Sequence, residues 1–390
     1  MIRNLLALIT LIVSTMTVFG QKPKVVILGV GHSTQLINYN HQPAAIRAFI
    51  NKVKPSAICI ERSPEEFSRN DFYEFTYEQQ FAVIPYAREN NIPLYPIDWI
   101  PSETDSELGF GIKDLNIPRF VRQKEGFLGF TTFTEKSDFE DDLYFAEKED
   151  YIKRIASWYS SQPEKTAFDL PRRMFLYRTF LQSKRIQKVL ESYSSHDTVL
   201  VVIGAFHKND IENNLREQGY QIIQPSSFGN TTQQEIDDQF RKQDGYSILS
   251  FNLLGMQSQI KKVNEKLVDY ALAKLGNDES IELELFKIRR AIVFEKISSK
   301  QALNQYQALL GKIGNENWSW TGVKDISRID SYFDPFGNLA LKDRIRLELA
   351  REYRKLLKHK EFHSQIDIIN SGLNSYKKSM LNFYIEKYLN

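Results

Sequence analysis

Two stretches, VVILGVGH at residues 25–32 and VLVVIGAFH at residues 199–207, each run as branched apolar residues into a glycine and set a histidine three positions later. Similar short apolar runs occur as KVVILG (24–29), SAICI (56–60), PLYPI (93–97), TVLVVIG (198–204) and YQIIQ (220–224), separated by longer stretches of helical spacing. That alternation is the signature of an α/β fold, a mainly parallel sheet flanked by helices. Between the first two runs, PAAIRAFINKV starts with Pro43 and spaces its apolar residues by three and four, as a crossover helix does. EQQFAVIPYAREN is read as a helix bent by Pro85, and FLYRTFLQSKRIQKVLESY as a helix with Phe175, Phe180 and Ile186 on one face.

The rhythm breaks over residues 101–150, where GFGI, EGFLGFTTF and an acidic run suit a lid or substrate loop, although such composition more commonly marks a solvated surface excursion. After Gly229 the strands stop, and amphipathic segments of mixed charge give an all-helical C-terminal domain over 230–390, with no repeat of fixed period. The expected organisation is therefore an α/β domain over 21–229 followed by this helical domain, which has a structural role or makes protein contacts.

With 51 basic against 49 acidic side chains, the chain has almost no net field to draw nucleic acid or an anionic membrane. Its expected partners are small molecules, peptides or proteins. Residues 1–20 carry Arg3, an uncharged run and the small residues of a cleavage site, which reads as a signal peptide of a secreted or periplasmic protein. The apolar run falls short of the roughly 20 residues of a bilayer span, so no stable membrane anchor is expected after cleavage. Cys59, the single cysteine, sits in an apolar strand and is read as a buried structural thiol.

In open parallel sheets, ligands bind beyond the carboxyl ends of the strands. Here the first strand is followed by Gly29 and His32, the second by Glu61 and Arg62, the third by Asp98 and the fourth by Gly204 and His207. Eighteen glycines and six histidines among 390 residues would produce about 0.3 such Gly-x-x-His pairs by chance, against the two that follow strong strands. The glycines are expected to let a substrate or ion approach the backbone closely. His32, Glu61 and His207 form a ligand set suited to a divalent metal holding an activatable water. Without a metal, one histidine serves as general base, oriented by Glu61, while an arginine steadies an oxyanion. Asp98 either orients a histidine or caps its turn, and Arg62 is expected to pair with a neighbouring acid. His41, expected to be exposed, and His196 in a turn are set aside. His359 and His363 lack the glutamate of the HExxH motif and are set aside as well.

The segments GVGH, CIER and IGAFH resemble the TraB/Tiki superfamily, whose wider membership includes erythromycin-esterase-like and ChaN-like proteins. ENNIPLYPIDW is similar to the family's strand ending in an aspartate. YRTFLQSKRI resembles its RxxxMxxxI helix, which places the family arginine at Arg178, although Gln182 stands where the methionine is usual. The resemblance spans about residues 24–229. It implies both histidines and Glu61 in one cleft and a hydrolase activity, metal-dependent and peptidase-like in Tiki proteins; haem binding without turnover, as in ChaN-like members, is the alternative.

Overall fold

The computed structural model describes residues 22–70, 76–99, 141–161, 166–259, 261–276, 278–318, 329 and 336–389. The expected signal peptide and most of the 101–150 insertion lie outside them. Five parallel strands, β1 (Lys24–Val30), β2 (Ala57–Ile60), β3 (Leu94–Pro96), β4 (Thr198–Gly204) and β5 (Gln221–Ile223), form one sheet in the order β3-β2-β4-β1-β5. The α/β expectation is met, strand for strand.

Strand β4 lies at the centre because its run is apolar on both faces. Leu200 and Val202 face one layer with Val26, Leu28, Ile58 and Ile60. Val199, Val201 and Ile203 face the other with Val25, Ile27, Ala57 and Cys59. Helix α1 (Pro43–Val53) opens with Pro43 at its first turn and covers the former face through Ile46, Phe49, Ile50 and Val53. After the short α2 (Pro64–Arg69), a π-helical turn at Glu78–Val83 runs into α3 (Ile84–Glu89), with Pro85 in its first turn. The bend expected at Pro85 is thus accommodated by a wide π turn before it, where the ring's missing N–H breaks the α-helical ladder.

Beyond α4 (Glu149–Ser160), the long α5 (Thr166–Leu190) covers the opposite face with Ile186 and Leu190. Helix α6 (Ala205–Glu217) joins it there through Ile211 and Leu215. Phe180 does not share that face: it is 48% exposed whereas Ile186 is fully buried, because at 100° per residue the five-residue step from Phe175 turns it outward. Cys59 is buried in the sheet, and burial pushes its thiol pKa up.

The connections leaving adjacent β1 and β4 cross opposite faces, α1 over one and α6 over the other. A crevice at the carboxyl ends follows from that reversal. Register brings Val30 opposite Gly204 and Ile60 opposite Val202, so the residues after β1, β2 and β4 meet at one level.

The helical region runs through α7 (Gln233–Gln239), α8 (Lys242–Leu249) and a second π turn, Ser250–Leu254, to α9 (Met256–Gln259) and α10 (Glu265–Lys274). Helices α11 (Ile281–Val293), α12 (Ser299–Lys312), α13 (Leu341–Lys355), α14 (His359–Ser371) and α15 (Ser375–Tyr388) follow. Its apolar core also takes in Leu36, Ile37, Tyr39 and Tyr77 from the sheet half. Buried Arg47 of α1 pairs with buried Asp244 of α8 across the same boundary. Among the described residues no helix is long and apolar enough to cross a membrane.

Candidate functional site

Glu61 sits at the centre of the crevice, buried directly after β2. Its Oε2 accepts the Gly204 N–H at 2.5 Å, and its Oε1 accepts from Arg178 Nη2 at 3.1 Å. The two histidines approach opposite oxygens of this carboxylate, His32 Nε2 at 3.8 Å from Oε2 and His207 Nε2 at 3.4 Å from Oε1. Three strand ends thus deliver the three side chains that the sequence singles out to one place.

Their second ring nitrogens are held differently. His207 Nδ1 lies 2.7 Å from Thr179 Oγ1, whose hydroxyl donates to the Phe175 carbonyl at 2.9 Å. The Thr179 hydroxyl thereby ties the His207 ring to the backbone of α5. Phe175 stacks on the His207 ring at 4.2 Å and 5°. His32 Nδ1 instead meets the buried carboxylate of Glu78 at 3.0 Å. Gln35 and Gln79 donate to the same carboxylate at 3.2 and 3.1 Å.

Sequence reasoning missed Glu78, which lies inside a segment read only as a helix, and Thr179, the neighbour of Arg178. Neither stands at a strand end, and an acid in the first turn of a helix ordinarily serves the helix dipole. No local signal separates the two cases.

The backbone at His32 has φ +49°, a left-handed conformation that costs a side-chain-bearing residue roughly 1–3 kcal/mol. Thr34 secures the turn, its N–H and hydroxyl both donating to the Gly31 carbonyl at 3.2 and 2.7 Å. Gly204 makes room for the ring, since a Cβ there would stand 2.7 Å from His32 Nε2 and 3.3 Å from Glu61 Oε2. Gly29 serves packing instead. Its hypothetical Cβ would meet Ala146 Cβ at 2.8 Å and Ala205 Cα at 3.1 Å, so the space that a ligand was expected to use is filled by protein.

Arg178 is buried on α5 and clamps acids, with Nε on Asp98 Oδ1 at 2.8 Å and Nη2 on Asp98 Oδ2 at 2.6 Å and on Glu61. Gln182 donates to Asp98 Oδ1 at 2.8 Å and so helps to hold the clamp. Arg185 donates to the Asp98 carbonyl. Asp98 therefore orients Arg178 rather than a histidine, and it also receives the Trp99 N–H. Arg62 is fully buried beside it, its carbonyl accepting the Asp98 N–H at 2.9 Å.

These surroundings separate the two histidines. Burial depresses His32, but the charge and hydrogen bond of Glu78, helped by Glu61, outweigh it and hold its pKa above the ordinary value. At His207 burial prevails over Glu61 and the pKa falls below the ordinary value. Burial would raise Glu61, yet the His207 bond, both imidazoles and Arg178 keep it well below the usual carboxylate range. The surroundings thus favour the charged form of His32 and the neutral form of His207 beside one carboxylate.

A divalent metal at this trio is tested by its donors. Both Glu61 oxygens already accept protein hydrogen bonds, and the Arg178 guanidinium supplies the adjacent positive charge. Among the described residues no group of three or more His, Cys, Asp or Glu is arranged to hold a metal ion. In this arrangement the chain's own donors balance the Glu61 charge.

His41, expected at the surface, is buried: its Nε2 lies 2.6 Å from the Asp142 carbonyl oxygen and its ring stacks on Phe145 at 5.3 Å. The loop after β1 folds under residues 141–147, which covers it. His196, in the turn just before β4, and His359 and His363, on α14, are exposed. Comparisons with protein-family models, curated proteins and solved structures find no match to this chain.

Proposed function

We propose that the crevice is the active site of a hydrolase that splits an ester or amide bond, the activity implied by the TraB/Tiki resemblance. One observation carries this reading: two histidines of opposite pKa environment address opposite oxygens of one buried carboxylate. Titratable groups driven apart in this way mark an acid and a base. Neutral His207 takes a proton from water as the water oxygen bonds to the acyl carbon. Protonated His32 gives its Nε2 proton to the departing oxygen or nitrogen as the acyl bond breaks, yielding an acid and an alcohol or amine. Exchange with solvent then restores both imidazoles. Glu61, pinned by Gly204 and Arg178, favours the charge on each in turn.

The test is hydrolysis of a panel of chromogenic esters and fluorogenic peptides by the purified protein, its His32→Gln variant and its His207→Gln variant. Turnover that both variants lose while keeping the native circular dichroism supports the reading, and turnover that survives in both overturns it. Binding without turnover, including a haem-induced spectral shift lost in the same variants, would favour the ligand-binding alternative. The same reading puts the protein in the secreted or periplasmic space, and sequencing of a mature amino terminus at Gln21 checks it.

A further inference from the structure

We propose that the helical region is a positioning frame for the His32–Glu78 pair, acting through two carboxamides, Asn252 and Asn264, that grip the end of the His32 turn. The inference rests on the reading of His32 as the acid, and it adds residues that lie more than 200 positions away in sequence.

The turn His32–Leu36 is a short 3-10 helix closed by Ile37 at its C-cap. Asn252 Nδ2 donates to the Leu36 carbonyl at 2.7 Å, and Asn264 Nδ2 donates to the Ile37 carbonyl at 2.9 Å. Asn252 is fully buried on the π turn Ser250–Leu254, and Nδ2 also donates to the Ile248 carbonyl at 2.9 Å, which fixes its amide plane. A widened turn of this kind re-aims a side chain that a regular helix would point elsewhere.

The Glu78 side of the pair is held from the same direction. Tyr77, its neighbour, shares a hydrogen bond with Ser247 of α8 at 2.7 Å. Leu36, Ile37, Tyr39 and Tyr77 all belong to the apolar core of the helices and not to either sheet-face core. A left-handed residue persists where its surroundings over-determine it. At His32 the sheet supplies the preceding strand, and the helical region supplies the anchor that follows.

The experiment is proton NMR of the purified protein, following the imidazole N–H of His32 in its bond to Glu78. Such a proton, hydrogen-bonded to a buried carboxylate, resonates far downfield and is assigned by its loss in His32→Gln and Glu78→Gln. In Asn252→Leu, which keeps the side chain's shape without its donor, the resonance is expected to vanish or to exchange with water at least about tenfold faster, with the melting transition still cooperative. Should that variant fail to fold, Asn264→Ser carries the test. Asn264 also caps α10 by accepting the Leu267 N–H, and serine retains that cap while losing the reach to Ile37. A resonance unchanged in the folded variants overturns the proposal, and so does its absence from the native protein. Failure of the hydrolase reading looks different: the resonance responds as described, but no substrate is turned over.

Discussion

His32 and Glu78 stand 46 residues apart in the chain and 3.0 Å apart in the fold, with Nδ1 of the imidazole against a fully buried carboxylate. The bond fixes which nitrogen of His32 faces Glu61 and raises the affinity of the ring for its proton.

Removing the charge of Glu78 while keeping its shape, in Glu78→Gln, is expected to lower the His32 pKa toward its ordinary value and to cut kcat by roughly 10²–10⁴-fold. KM should change little. The measurement is steady-state kinetics on whichever ester or peptide the native protein turns over, and an unaltered kcat would count against the assigned role.

Gly204→Ala and Gly29→Ala are expected to fail in different ways. The backbone at Gly204 has φ −53°, which alanine adopts readily, so its new methyl does harm only by displacing His32 and Glu61. Activity should collapse with a small change in melting temperature. At Gly29 the methyl meets the Ala205 backbone, and overpacking of that kind costs about 1–3 kcal/mol. Thermal unfolding of both variants beside their activities separates the two outcomes.

The pH profile of kcat/KM should be a bell spanning the ordinary histidine range. His207 must be unprotonated, and its pKa is depressed, so activity falls only when pH drops below that lowered value. His32 must be protonated, and its pKa is raised, so activity persists until pH climbs through that raised value. Glu78→Gln should shift the alkaline limb to lower pH and leave the acid limb in place.

Chelation is expected to leave turnover unchanged, because the Arg178 guanidinium and the Gly204 N–H balance the Glu61 carboxylate without an ion. Kinetics after exhaustive dialysis against a chelator, with metal analysis of the same sample, make the check. Activity that disappears and returns on adding a divalent ion would restore the metal reading of His32, Glu61 and His207.

Arg47→Leu is expected to destabilise the protein by about 3–5 kcal/mol, since it leaves Asp244 buried without its partner and also removes donors to the Gln239 and Phe81 carbonyls. Denaturant titration measures the loss. If the sheet and the helices unfold together, a single transition should move as one.

The strands and the site positions just beyond them were legible in the chain because burial on both faces leaves an unbroken apolar run, a property of neighbours in sequence. His32, Glu61 and His207 follow from that rule directly. The burial of His41 is not local, since its cover comes from residues about a hundred positions away, and Phe180 faces outward because a five-residue step does not return to the same helix face.

By itself, then, the sequence determined the parallel sheet, the order of helices around it and the level at which two imidazoles and a carboxylate meet, through periodicities spanning a few residues. Tertiary structure alone decided which carboxylate orients His32, which acids Arg178 clamps, what fills the space beside Gly29 and how the helices reach the His32 turn. Each of those is a pairing between segments distant in the chain, where hydrogen bonding and desolvation depend on the neighbours that folding supplies rather than on the residue's own place in a local pattern.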